Sequence, residues 1–383
     1  MLRFITSGES HGPGLVATVE GLPSGLAVST EGIASELARR RLGYGRGPRM
    51  RLEKDELEIL AGVRFGMTLG GPVTVLIRNT EWPRWQEEMS PEPGTARKVE
   101  TKPRPGHADL VGMMKYDTHD ARDILERASA RETAARTVVG YLAKQVLHSI
   151  GIDVFSHVTA IGPISIPEDS ELPTPQDLAA IDDSEVRVFD KRSEAAMITS
   201  IEKAKSDRDT LGGTVQVLAY GVPPGLGSHV HWDRKLDGLL AGAVMSIQAI
   251  KAVEIGSGIT QARSLGSEAH DEIFYDTQYG RYTNRAGGLE GGMTTGGVVS
   301  ATAYMKPIAT LMRALETVDV TTKEPAKAFR ERSDVCAVPA AGVVAEQMVA
   351  YVLANEVLRS FGGDTVKDLV TAADAYRARI AAF

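Results

Sequence analysis

The chain has 383 residues, 43% of them hydrophobic and 24% charged, which excludes wholesale disorder and allows a large core without metal or disulfide staples. Its net charge of −7 argues against a general nucleic-acid binder, while leaving room for a local basic site. One cysteine, Cys336, allows no internal disulfide, the N-terminus has no apolar signal core, and no apolar run approaches the ~20 residues of a membrane span, so a cytoplasmic protein without a membrane partner is expected.

In chain order, residues 2–7 and 15–22 read as strands about a Gly/Pro turn. Ser29 or Thr30 can cap a helix that buries Ile33 and Leu37 and stops at Gly43. Residues 57–63 and 72–78 read as a strand pair. The stretch 79–109 has five prolines and little periodicity, the mark of a functional or disordered loop. Residues 120–150 give the longest helical signal, with Ile124, Ala128, Ala135, Val138, Leu142 and Val146 on one broad face. A second helix is expected over 233–253. Strands are expected over 154–161, 214–220 and 298–305, and two closing helices over 340–361 and 364–380. The pattern is mixed α/β with many hairpin-like pairs, in one domain over residues 1–383.

Several segments carry candidate chemistry. Gly8-Glu9-Ser10-His11-Gly12 matches G-x-S-x-G, but a nucleophile elbow needs a helix after it, and here Pro13-Gly14 and a strand follow. The framing glycines still let the backbone at Ser10 and His11 come close to a ligand. Residues 39–51 hold six arginines, and Gly43, Gly45 and Gly47 turn the run into a loop. Arginine forks suit phosphates and carboxylates. The plain alternative is a solvated charged face; RNA is another, although no aromatic platform accompanies the run.

Arg104-Pro105-Gly106-His107-Ala108-Asp109 ends the long loop, and a tight Pro-Gly turn there makes His107 a candidate. Neither Asp109, Asp117, His119 and Asp120 nor His229, His231 and Asp233 meets a metal-ligand spacing, so no metal is expected. Ser129, Thr133 and Arg136 recur at i, i+4, i+7 beside an alanine-rich face; a Glu132–Arg136 ion pair is the structural alternative. The glycine-rich residues 287–297 resemble a phosphate loop in composition only. Residues 306–310 follow a strand and could hold an anion, and Arg332-Ser333-Asp334 stands just before a helix.

Residues 8–23, 126–142 and 332–348, with 43–50, 104–109 and 306–310, stand in the order and spacing of the chorismate synthase family, which the chain resembles from residue 2 to beyond residue 360. The resemblance implies a phosphate lyase. It would make chorismate by 1,4-anti elimination of phosphate from 5-enolpyruvylshikimate 3-phosphate, the last common step of aromatic amino acid biosynthesis. It implies dependence on reduced FMN with no net redox change. It also implies an α/β sandwich of the α+β type, with long central helices between antiparallel-rich sheets, and a homotetramer.

By the same resemblance, Arg40, Arg46, Arg49, Arg131 and Arg332 bind the substrate. His11 is cationic beside the reduced flavin, and His107 protonates the departing phosphate. Asp334, with Ser333, Ser10 and Ser129, helps move the ring proton by way of flavin N5. FMN is held by Arg127, Ala128, Ser129, Gln248, Ala249, Gly291, Lys306, Pro307, Ile308, Ala309, Thr310 and Arg332. Gln248 and Ala309 stand where many members carry Asn and a second Pro. Arg40 and Arg46 are also the positions linked to NADPH. No reductase insertion is evident, so NADPH would act indirectly, through a separate flavin reductase. The reading from another class is a non-enzymatic anion- or RNA-binding protein that uses the arginine loop.

Overall fold

Alternating apolar residues build the first sheet. In the computed structural model, which describes residues 1–47, 55–331 and 334–383, strands β1 (Arg3–Ser7), β2 (Gly14–Glu20), β3 (Glu56–Ala61) and β4 (Val73–Arg78) pair antiparallel in the order β1-β2-β4-β3. Leu15, Ala17 and Val19 sit opposite Ile77, Val75 and Val73, and all six are buried on one face. A second antiparallel sheet joins β5 (Asp153–Ile161), β6 (Ile164–Ser165), β7 (Gly213–Tyr220), β8 (Ile250–Ile255) and β9 (Val299–Met305) in the order β8-β9-β7-β5-β6.

Helices fill the space between the sheets. Helix α1 (Thr30–Arg41) starts where Ser29 accepts from the Gly32 amide at 2.9 Å, and it buries Ile33 and Leu37. Helices α2 (Asp109–Tyr116) and α3 (Arg122–Ala128) lead to α4 (Thr133–His148), which packs on β1 and β2. Beyond β5, helix α5 (Glu194–Ser206) buries Met197 and Ile201, and α6 (Leu236–Met245) packs against β8. Helix α7 (Val338–Phe361) lies between α4 and the second sheet, and α8 (Val366–Ala381) closes the chain. The architecture is the expected sandwich of central helices between antiparallel sheets.

Two long helices expected from periodicity are broken. Residues 120–150 divide into α3 and α4 because Ser129 is extended (φ −60°, ψ 142°) and its hydroxyl accepts from the Arg131 amide at 3.2 Å. A serine that bonds its neighbouring backbone competes with helix propagation. Residues 233–253 contain α6, but the chain then reverses at Ala249 (φ +68°) and Ile250–Ile255 becomes strand β8. Its partner β9 supplies the ladder, which periodicity within one segment does not reveal. Helix α5 was not anticipated at all.

Helix α7 also corrects the expectation of no membrane-length apolar run. It is the one helix among the described residues long and apolar enough to cross a membrane, and 89% of its apolar window is buried inside the protein. It is buried on most sides because helices cover one side and a sheet the other.

An ion cluster ties α1, α4 and α7 together. Glu346 on α7 is fully buried and accepts from Arg39 Nη1 at 2.6 Å, Arg39 Nη2 at 3.1 Å and Ser156 Oγ at 3.0 Å, and Lys144 of α4 also donates to it. Burial would raise the Glu346 carboxyl, but Arg39 and Lys144 hold it well below the usual range. Arg39 is therefore a core residue, and its neighbour Arg40 is set on the next face of α1.

Candidate active site

The breaks and turns of this framework converge. Ser10 and His11 come from the β1–β2 turn, Arg40 from the last turn of α1 and Arg46 from the loop after it. Arg104 and His107 end the long loop, Ser129 and Arg131 sit in the α3–α4 break, and Gln248 and Ala249 follow α6. Lys306, Ile308, Ala309 and Thr310 follow β9, and Asp334 precedes α7. All of these line one cavity of about 530 Å³.

Local chain geometry positions the groups. Gly8 has φ +99°, and a Cβ there would lie 2.2 Å from the Gly14 carbonyl oxygen, so only glycine lets the turn fold back onto β2. Asn79 Nδ2 clamps the same turn by donating to the Glu9 carbonyl at 3.0 Å and the Gly12 carbonyl at 2.9 Å. Val335 donates to the Gly45 carbonyl at 2.8 Å, which docks the arginine loop at the start of α7.

Each candidate histidine meets a buried carboxylate. His11 Nδ1 lies 2.9 Å from Glu126 Oε1, and the His11 amide donates to Glu126 Oε2 at 2.8 Å. The Trp85 ring covers His11 at a centroid distance of 4.1 Å. His107 Nδ1 bonds Asp109 Oδ1, and Asp109 is fully buried. Arg104 Nε donates to Asp109 Oδ2 at 2.8 Å, and its Nη1 donates to Thr310 Oγ1 at 2.9 Å. Burial would raise the Asp109 carboxyl, but His107 and Arg104 bring it down to about 2. An acceptor, Asp109 Oδ1, and a donor, Arg104 Nη2 at 3.0 Å, both face His107 Nδ1.

The cations of the site are fixed in place. Arg40 Nε donates to Thr133 Oγ1 at 2.9 Å and its Nη2 to the Ala130 carbonyl at 3.1 Å. Arg131 Nη1 donates to Asp55 Oδ1 at 2.7 Å. Asp334 accepts from the Gly47 amide at 2.7 Å and lies 3.3 Å from Arg46 Nε. Ser129 Oγ stands 3.3 Å from Ser10 Oγ. Arg40, Arg46, Arg104, Arg131 and Lys306 face the cavity against the carboxylates of Glu331 and Asp334, an excess of positive charge that suits a polyanionic ligand. The described part of the arginine run is thus not a solvated face: Arg39 is in the core, and Arg40 and Arg46 line the cavity.

The lining also carries apolar side chains of the kind a flavin ring needs. Leu125, Ile247, Met305, Ile308 and Val344 offer apolar surface for a flat ring. Gln248 Nε2 donates to Glu132 Oε2 at 3.2 Å, while its Oε1 is buried with no hydrogen-bond partner among the described residues. That acceptor suits a ring N–H, and a buried acceptor without a donor is otherwise costly.

Some expected residues lie elsewhere. Arg127 turns to β1, where Nη2 donates to the Thr6 carbonyl at 2.7 Å and Nη1 to the Gly8 carbonyl at 3.2 Å, and it does not line the cavity. Gly291 turns the Leu289–Thr294 hairpin beside the N-terminal end of α6, whereas the cavity lies past the C-terminal end of that helix. Pro307 does not line the cavity either, and the side chain of Ala128 contributes only a methyl group. Arg49, Arg332 and Ser333 fall outside the described residues. The Glu132–Arg136 ion pair is present, at 2.9 Å. Sequence reasoning missed Asn79, Trp85 and Glu331, and it gave no role to Glu126, Arg104 or Asp109. A buried carboxylate two residues from His107 was the one readable signal among them. Among the described residues no group of three or more His, Cys, Asp or Glu side chains could hold a metal ion.

Comparison with known proteins bears on this geometry. The family model for chorismate synthase matches residues 2–358. A chorismate synthase from Thermobifida fusca (strain YX) is 57% identical over 380 residues, 97% of each chain. One from Salinispora tropica is 59% identical over 376 residues, 96% of each chain. A solved structure described as a crystal structure of chorismate synthase superposes with a TM-score of 0.81 at 40% identity, covering 100% of this chain and 99% of that one.

Proposed function

The chain belongs to the chorismate synthase family, and from that premise we propose how its cavity carries out the family's reaction. It is a lyase of the shikimate pathway, and its substrate is 5-enolpyruvylshikimate 3-phosphate. The observation that carries the mechanism is one cavity holding two histidines, each backed by a buried carboxylate, inside a ring of cations.

The substrate carries a phosphate and two carboxylates, which cannot leave water without several paired cations. Arg40, Arg46 and Arg131 supply them, joined in our reading by Arg49 and Arg332. His107 donates a proton to the departing phosphate, and Arg104 beside it at 3.0 Å offsets the growing negative charge. Asp334, held by Arg46 and the Gly47 amide, is the carboxylate that takes up the ring proton. Ser10 and Ser129 orient groups between His11 and the substrate. Reduced FMN, when bound, supplies the electron-rich ring that lets a 1,4-anti elimination proceed without net oxidation. Gln248, Ala249, Ser129, Lys306 and residues 308–310 would hold it, with NADPH acting indirectly through a separate flavin reductase in the cytoplasm.

Changing His107 to Ala tests the assignment. We expect kcat to fall roughly 10²-fold, as for loss of a general acid, with KM affected much less. A near-normal kcat would refute it.

Gly291 stands at the N-terminal end of α6, whereas the cavity lies past its C-terminal end, so in our reading a flavin contact by Gly291 would be made to the site of another copy, in keeping with the homotetramer the resemblance implies.

A further inference from the structure

We propose that Glu126 is the positioning residue of His11, fixing the imidazole proton on Nδ1 and so presenting Nε2 to the ligands of the cavity. The proposal rests on the reading of His11 as a catalytic group.

Glu126 holds the Ser10-His11 turn in three ways. Its Oε1 lies 2.9 Å from His11 Nδ1, its Oε2 accepts from the His11 amide at 2.8 Å, and its backbone carbonyl accepts from the Ser10 amide at 3.1 Å. The side chain is 3% exposed, and Arg122 Nη1 donates to the same Oε1 at 2.8 Å. Burial would raise its carboxyl, but the contacts with His11 and Arg122 hold it below the usual range. An ionised carboxylate can only accept, so the proton of the facing ring nitrogen must be on Nδ1.

The rest of the setting removes freedom from the ring. Trp85 covers its face at 4.1 Å, and the Arg122 guanidinium lies over Trp85 at 4.9 Å. Arg122 therefore locks both the carboxylate at the edge of the imidazole and the indole on its face. With the ring held and Nδ1–H committed to Glu126, a proton that the ring takes up or gives away is exchanged at Nε2. Glu126 itself lines no part of the main cavity, so it acts through His11 and is not a catalytic residue.

Glu126→Gln tests this with nearly the same shape. Gln can still accept from the His11 amide through Oε1, but its amide nitrogen then presents N–H to Nδ1, so the ring proton moves to Nε2. Arg122 keeps Glu331 at 3.5 Å and Glu100 at 3.9 Å as counter-charges, so the variant should fold. The experiment is a double-mutant cycle with H11A, read as kcat, KM and Tm. We expect E126Q to lower kcat about tenfold or more, as a wrong tautomer does elsewhere, with KM and Tm little changed. On the H11A background the same change should cost almost nothing. Losses that multiply would mean that Glu126 acts independently of His11, and would overturn the proposal. An impaired H11A with an unimpaired E126Q overturns it alone; an unimpaired H11A overturns the His11 reading as well. The unmodified protein gives a reading that needs no folded variant. In histidine-¹⁵N-labelled enzyme the His11 ring should carry a proton on Nδ1, and an unprotonated Nδ1 would refute the assignment.

Discussion

Asp109 carries the strongest electrostatic constraint among the site's carboxylates. Its folded-state value is brought down to about 2 by His107 and Arg104. A depressed carboxyl stabilises the fold above its unfolded value of about 3.9 and loses that contribution as pH falls through the folded value. Asp109→Asn should therefore cost about 2 kcal/mol at pH 7, and the difference from the parent should shrink between about pH 4 and pH 2. Urea unfolding of both proteins at several pH values would check this, and a gap independent of pH would contradict it. At this scale the sequence was readable where a motif marked a turn, as at His107 after Pro105-Gly106. It was silent where the partner lies far along the chain. Glu126 is 115 residues from His11, and Asn79 is 67 residues from Gly12, so no spacing rule connects them.

The helices meet closely enough for one methyl group to matter. Gly140 on α4 faces Gln347 on α7, and a Cβ there would lie 2.2 Å from Gln347 Cβ and 2.6 Å from its Cα. Gly140→Ala should destabilise by about 1–3 kcal/mol through overpacking, partly offset by the ~1 kcal/mol helix preference of Ala over Gly. Thermal unfolding would show it, and a higher Tm would mean that the helices can part at no cost. The same helices show what periodicity conveys and what it omits. The apolar stripe of α4 was legible from Val138, Leu142 and Val146, all buried as expected. The break at Ser129 and the reversal at Ala249 were not, because the first depends on a side-chain cap and the second on pairing with β9. Both breaks line the cavity. Local regularity gives way where function needs a backbone turn.

The whole molecule unites the parts of the account: two sheets, central helices and one cavity at their ends, with the positive charge concentrated there although the chain is net −7. The fold class was legible as many hairpin-like pairs around long helices, while the layer order came from the family resemblance and not from periodicity. A homotetramer predicts a mass in solution four times the 41.0 kDa chain, measurable by light scattering, and a monomer at micromolar concentration would contradict it. The central claim is that the cavity performs an elimination that requires reduced flavin without consuming it. The direct measurement is chorismate formation from 5-enolpyruvylshikimate 3-phosphate under anaerobic conditions with chemically reduced FMN, against oxidised FMN plus NADPH and against no flavin. The account predicts many turnovers for each reduced flavin and none without it; product formed with no flavin, or none formed with reduced FMN, would contradict it.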